Sequence, residues 1–265
     1  VRDFVPAKRD GKAGFKDLVT GRFHGANKGT GLTAIGTVIE DESEKPADNC
    51  YVEGKGGSFN YITIPHFPSG ATRYECDFAL TQINSGKVLF GSYDCGFSQI
   101  LYLTGSNYTF DSGNGTHSSA TLPTKLAQDT NRHTAIIDAP AAVYSVLAPD
   151  GTVEMTDSSS AKTRNATATK PTILFGTSHS NAVGGNGAQC ALAKIFAFRI
   201  YEAGILVHDY VPRKVDGIVG FKDLATGEFV TGEGLVAGAG VPTEKGDAYI
   251  DSVNRTKHAF DTGYV

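Results

Sequence analysis

The chain has 265 residues and a formal net charge of -4, from 24 basic and 28 acidic residues with neither sign gathered into a block, which argues against the basic footprint of a nucleic-acid binder. Mean hydropathy is -0.18, and no apolar run approaches the roughly 18 residues that read as a membrane-crossing helix. Glycine occurs 32 times, methionine once and tryptophan not at all, a composition thin in helix formers that predicts an all-β fold large enough to bury its own core.

Period-two alternation carries the element assignment. In 73–80, RYECDFAL, the side chains Tyr74, Cys76, Phe78 and Leu80 point one way while Glu75 and Asp77 point the other. Strands follow at 87–93, 97–103, 107–112, 133–138, 142–148, 152–157 and 172–178. In 192–202, LAKIFAFRIYE, the alternation puts Leu192, Phe196, Phe198 and Ile200 on one face with the stem of Lys194. Two further strands are predicted at 205–212 and 228–232. Turn residues punctuate them at Pro68-Ser69-Gly70, Asn84-Ser85-Gly86, Pro149-Asp150-Gly151 and 181–187. Many short strands with no amphipathic helix between them describe a two-sheet sandwich.

An internal repeat organises the chain. Residues 1–23, VRDFVPAKRDGKAGFKDLVTGRF, align without a gap on 207–229, VHDYVPRKVDGIVGFKDLATGEF, with 15 of the 23 positions identical. A fainter likeness links 248–265 to 50–67. The offsets are 206 and 198, so the sequence reads as a window on a tandem array. In that frame 1–31 are tail strands of one repeat, 32–47 a linker, 48–232 a complete domain, 233–247 a second linker, and 248–265 the first strands of the next repeat. The chain opens on Val1 with no leader ahead of it, which reads as a processed product or an excerpt. Four cysteines, Cys50, Cys76, Cys95 and Cys190, show no CxxC spacing and leave free buried thiols and disulfides both open.

Several stretches resemble a known family. Tyr51-Val52-Glu53 followed by Tyr61-Ile62-Thr63-Ile64, then 129–134, DTNRHT, the strand from Ala193 to Tyr201, and the terminal VHDYVP and GIVGFKDLATGEF are together similar to the concanavalin A-like, laminin-G-like jelly-roll repeats of bacterial surface and phage-associated proteins. The stretch 249–265 resembles the opening of such a domain. The resemblance implies a two-sheet antiparallel jelly-roll sandwich in a tandem array, located outside the cell or on its surface, and non-catalytic in most members. Fold alone does not assign function, since this one hosts lectins, glycosidases and structural modules.

The residues were weighed for chemistry one class at a time. A glycosidase needs two carboxylates facing each other across a cleft. The dense acidic cluster, Glu40-Asp41-Glu42-Ser43-Glu44, lies in the first linker, and Glu75 and Asp77 share a face without a third partner. No GxSxG elbow, HxH or HExxH spacing occurs, and His133 reads as the start of a strand, so no enzyme is expected. Glycan binding combines an aromatic platform with polar loop groups; the candidate loops are 105–116, with Tyr108, Asp111 and Asn114, and 177–186, with His179, Asn181 and Asn186. A calcium site among Asp94, Asn107 and Asp111 is the weaker option. Sequons at Asn107, Asn114, Asn165 and Asn254 are explained by the Asn- and Thr-rich composition.

The expected partners are other copies of the repeat, with glycans as the alternative. An apolar strand at Val1 to Pro6, including Phe4 and Val5, or at Ala259 to Val265, including Phe260 and Tyr264, is an edge seeking a partner. Pairing through such ends gives a head-to-tail fibre or stalk.

Overall fold

The computed structural model describes residues 4–9, 12–17, 23–25, 39–40, 49–56, 60–83, 86–94, 97–105, 107–113, 126–157, 167–176, 190–244, 248–251 and 256–259. The chain divides into two compact units, Val1–Pro46 and Ala47–Val265. Every regular element among the described residues is a strand.

The first unit is a four-stranded sheet of β1 (Phe4–Arg9), β2 (Lys12–Asp17), β3 (Phe23–Gly25) and β4 (Ile39–Glu40), in the order β3-β2-β1-β4. β1 and β2 form an antiparallel hairpin from Phe4↔Asp17 to Arg9↔Lys12. β3 continues it from Gly14↔Gly25 to Lys16↔Phe23, and β4 returns parallel to β1 at Ala7 and Lys8. Phe4 and Val5 therefore do not form a strand without a partner: they pair with Asp17 and Lys16. The remaining expected assembly residues, Val1, Phe260, Tyr264 and Val265, lie outside the described residues.

The second unit is a β-sandwich. One sheet runs β10 (Asn107–Gly113), β9 (Phe97–Thr104), β8 (Lys87–Asp94), β14 (Thr172–Leu174), β6 (Ile62–Ile64). The larger sheet runs β13 (Val153–Asp157), β12 (Val143–Leu147), β11 (Arg132–Asp138), β7 (Thr72–Leu80), β15 (Leu192–Glu202), β16 (Ile205–Val215), β17 (Ile218–Asp223), β18 (Phe229–Thr231), β21 (Ala248–Asp251), β22 (Thr256–Ala259). β5 (Val52–Lys55) joins it by pairing with β15 and with β19 (Leu235–Ala237), and β20 (Thr243–Glu244) lies parallel to β16. The stretch 233–247, expected as a connector, thus carries two short strands that pair onto the sheet.

The core is built from the inward rows of both sheets, as alternation requires. Tyr74, Cys76, Phe78 and Leu80 of β7 and Ala193, Ile195, Phe198 and Ile200 of β15 face Phe90, Leu101, Leu103, Tyr108 and Phe110 of the smaller sheet. The Tyr74 ring stacks on Phe198 at 5.5 Å and meets Phe90 edge-on at 5.9 Å. Phe196 departs from the expected pattern. A β-bulge between Ile195 and Ala197 shifts the phase of β15, so Phe198 is fully buried while Phe196 is only half-buried and contacts Tyr51 and Arg132 on the other side of the sheet. One extra residue in a strand is enough to exchange faces.

The two ends of the repeat alignment have the same pairing. β16 and β17 pair from Tyr210↔Asp223 to Val215↔Ile218, and β17 and β18 from Gly220↔Thr231 to Lys222↔Phe229. Each pair is the first unit's pair with 206 added to both numbers. β20 lies parallel to β16 at Lys214 and Val215, within one residue of where β4 meets β1. The identical residues explain the hairpin. Asp216 and Gly217 both have positive φ, 48° and 83°, the two-residue turn that matches strand twist. Gly220 is needed because a Cβ there would sit 2.2 Å from the Val230 carbonyl oxygen and 2.8 Å from the Phe229 ring.

Candidate functional site

Three polar constellations stand out in the second unit. The largest lies on the face of the larger sheet turned away from the core, where the alternate residues of β7, β11, β15 and the start of β5 converge. Arg73 binds Glu75 at 2.5 Å and Asp138 at 3.5 Å, and lies 5.6 Å from the centre of the Tyr201 ring, whose hydroxyl donates to Glu75 at 3.2 Å. Arg132 binds Asp77 through Nε at 2.8 Å and through a second guanidinium nitrogen. The same guanidinium covers the Phe196 ring at 4.2 Å; Phe196 meets Tyr51 edge-on at 5.6 Å, and the Lys194 ammonium sits 4.5 Å over Tyr51. Cross-strand charge pairs and cations over aromatic faces each add modest stabilisation, of order 0.5 to 1 kcal/mol at a half-exposed surface. Both strand carboxylates are neutralised by arginine, the arrangement of a stiffened surface.

The second constellation ties together the strand ends. His66, just beyond β6, meets Glu202 through Nε2 at 2.9 Å and Thr172 through Nδ1 at 3.3 Å, and Tyr74 reaches the same Thr172 hydroxyl at 2.6 Å. Ser69 donates to Glu202 at 3.2 Å, and Thr72 donates to its other oxygen. The His66 ring lies 5.7 Å from that of His208, which contacts Asp223 at 2.8 Å. Asp223 is fully buried and anchors the turn after β17: it accepts from the backbone N–H groups of Asp209 and Ala225 and from the Thr226 hydroxyl. Burial alone would raise its pKa, but these hydrogen bonds, with His208 foremost, hold it below the usual carboxylate value. The threonine–histidine–glutamate chain has the order of a nucleophile, a base and an orienting acid. Thr172 is fully buried and its hydroxyl is also engaged by Tyr74, so the chain acts as a buried clip between the sheets.

The third constellation is His133 at the start of β11. Its two ring nitrogens contact Glu154 at 2.6 Å and Asp129 at 2.7 Å. Both contacts are satisfied as donors when the imidazole carries both protons. The ring packs at 6.0 Å from Phe78 and 5.9 Å from Tyr108, closing one end of the core.

The expected ligand-binding residues fall in different places. Tyr108 is 1 % exposed, edge-on to Phe78 at 5.7 Å, so its ring packs the core instead of offering a stacking face. Burial pushes its hydroxyl pKa well up. Asn107 sits at the start of β10, and its carbonyl accepts from the Gln128 amide at 3.0 Å. Asn114, His179, Asn181 and Asn186 lie outside the described residues, as do the side chains of Asp94 and Asp111. Among the described residues no group of three or more His, Cys, Asp or Glu is placed to hold a metal ion. Cys50, Cys76 and Cys190 are free, buried thiols; burial pushes the Cys190 thiol up to about 11 and Cys76 well above its usual value. The aromatic and arginine surface went unnoticed in the sequence, although its signal was the complement of the apolar alternation in β7. No protein-family model matches the chain, and no curated protein matches it in sequence.

Proposed function

We propose that the chain is a non-catalytic structural and adhesive repeat of an extracellular fibre or stalk, built from jelly-roll sandwiches of the concanavalin A-like kind in tandem. The observation that carries this reading is the shared register of β1–β2–β3 and β16–β17–β18, position for position at an offset of 206. Solenoid-like and tandem proteins repeat a supersecondary unit at fixed spacing for mechanical and geometric reasons, without requiring a reactive site in each unit. The arginine-neutralised carboxylates of the outward face and the buried histidine clips agree with a structural role.

The test is negative-stain imaging with mass photometry on the purified chain and on chains carrying added repeats. Linear particles that lengthen with repeat number are expected; compact particles of fixed length overturn the reading. A second reading, a carbohydrate-binding module, draws support from the Tyr51 and Phe196 rings on the outward face, because aromatic surfaces stack on sugar rings. Glycan-array binding that is lost in both Tyr51→Ala and Phe196→Ala would favour it.

A further inference from the structure

β16 is flanked on both sides. β17 takes one edge, while β15 takes the other from Phe198↔Tyr210 to Glu202↔Ile205, and β20 follows along that second edge at Lys214 and Val215. β1, its counterpart, has β2 on one edge and β4 on the other at Ala7 and Lys8. Among the described residues no strand occupies the place beside Phe4 that β15 occupies beside Tyr210. An open strand edge of this kind is a template for pairing with another chain. We propose that the edge of β1 at Phe4 and Val5, on the side away from β2, seats an antiparallel strand of the β15 type contributed by another copy of the repeat, with its Phe198 position opposite Phe4.

This rests on the tandem-repeat reading and deepens it by naming the partner strand and its register. Three features select a β15-type strand. The position opposite Phe198 is aromatic in both copies, Tyr210 and Phe4, and in the second unit both Tyr210 and Phe198 are fully buried. Arg199 of β15 pairs with Asp209 at 3.1 Å, and the counterpart of Asp209 in the sequence is again aspartate, Asp3. β4 and β20 follow the occupied stretch at nearly the same place, so the length left open on β1 matches the length that β15 covers on β16.

The experiment uses a chain in which residues 48–206 are added ahead of Val1, so that Leu206 runs into Val1 as it naturally runs into Val207. Phe198→Cys in the added copy is combined with Phe4→Cys, and Phe198→Cys with Tyr210→Cys in the original chain serves as the control. A disulfide in the added-copy chain to the same extent as the control is expected, since directly paired residues lie within disulfide reach. Because these variants remove core aromatics, hydrogen exchange is also measured on the duplicated chain without them. Amides of 4–7 should exchange at least about tenfold more slowly than in the original chain. Control disulfide without the Phe4 disulfide, or unchanged exchange at 4–7, overturns the proposal. Unpaired β1 in particles that still lengthen with added repeats rejects this strand assignment alone, whereas paired β1 in particles of fixed length rejects the fibre reading alone.

Discussion

The hairpin β16–β17–β18 and its counterpart β1–β2–β3 agree at 15 of 23 aligned positions and in every strand pair of the hairpin, yet they differ at a particular set of sites. His208, Tyr210, Arg213, Val215 and Val219 stand where the first copy has Arg2, Phe4, Ala7, Arg9 and Ala13. In the second unit these are the residues that reach the rest of the sandwich. His208 lies against His66, Tyr210 and Val215 are buried, and Val219 packs on the core cluster. The retained residues make the hairpin itself: the Asp216-Gly217 turn, the close approach at Gly220, and the Asp223-Leu224-Ala225-Thr226-Gly227 corner. The motif is thus a local folding unit, and its variable positions record which neighbours it meets.

The strongest way to break that distinction is at Gly220. A Cβ at this position collides with the Val230 backbone and the Phe229 ring, and β18 cannot move away without losing its pairs to β17. Gly220→Ala should cost about 3 kcal/mol, the upper range of overpacking, read as a fall in the denaturation midpoint. If Gly220→Ala costs less than Phe196→Ala on the outward face, the retained glycine is not explained by the hairpin.

Asp223→Ala sharpens the same comparison at a smaller scale. It leaves the backbone N–H groups of Asp209 and Ala225 and the Thr226 hydroxyl without their acceptor. Hydrogen bonds to a charged acceptor are worth about 1.5 to 3 kcal/mol, and a loss of about 2 kcal/mol by chemical denaturation is expected. Thr226→Ala, which removes one donor and leaves the carboxylate its other partners, should cost about 1 kcal/mol. Equal losses in the two variants would show that the corner depends on the threonine instead of the carboxylate.

Much of this architecture was readable in the sequence because alternation reports burial directly. Strands expected at 73–80, 87–93, 97–103, 107–112, 133–138 and 192–202 are all present, and Tyr74, Cys76, Phe78 and Leu80 face inward as their spacing requires. The bulge in β15 escaped because nothing in LAKIFAFRIYE distinguishes an inserted residue from a continuing alternation, and so Phe196 was grouped with Phe198. Tyr108 was taken as a loop aromatic although it alternates with Phe110 on one strand; both turn out to be core residues. The polar clips escaped for a different reason. His66 and Glu202 are 136 residues apart, and His66 and Thr172 106 apart, so only the folded topology brings them together.

The mildest expected effect concerns His66, which ties the hairpin's His208 to the smaller sheet. Burial, opposed by the Glu202 contact and reinforced by the nearby His208, holds the His66 pKa below its ordinary value of about 6.5. The groups facing it are Glu202 from β15, Thr172 from β14, Tyr74 from β7 and His208 from β16. A histidine whose pKa is lower in the folded chain binds protons more readily when unfolded. Its contribution to stability is therefore complete above about pH 6.5 and is lost as the pH falls through the folded value. Denaturation midpoints measured between pH 7.5 and 5 should decline on acidification, above the range in which Asp223, with its lowered pKa, begins to protonate. In His66→Gln that decline should flatten, while the stability at pH 7.5 changes less than in Asp223→Ala. An unchanged slope would assign the acid sensitivity to other groups and leave His66 as a passive hydrogen-bonding link between the two sheets.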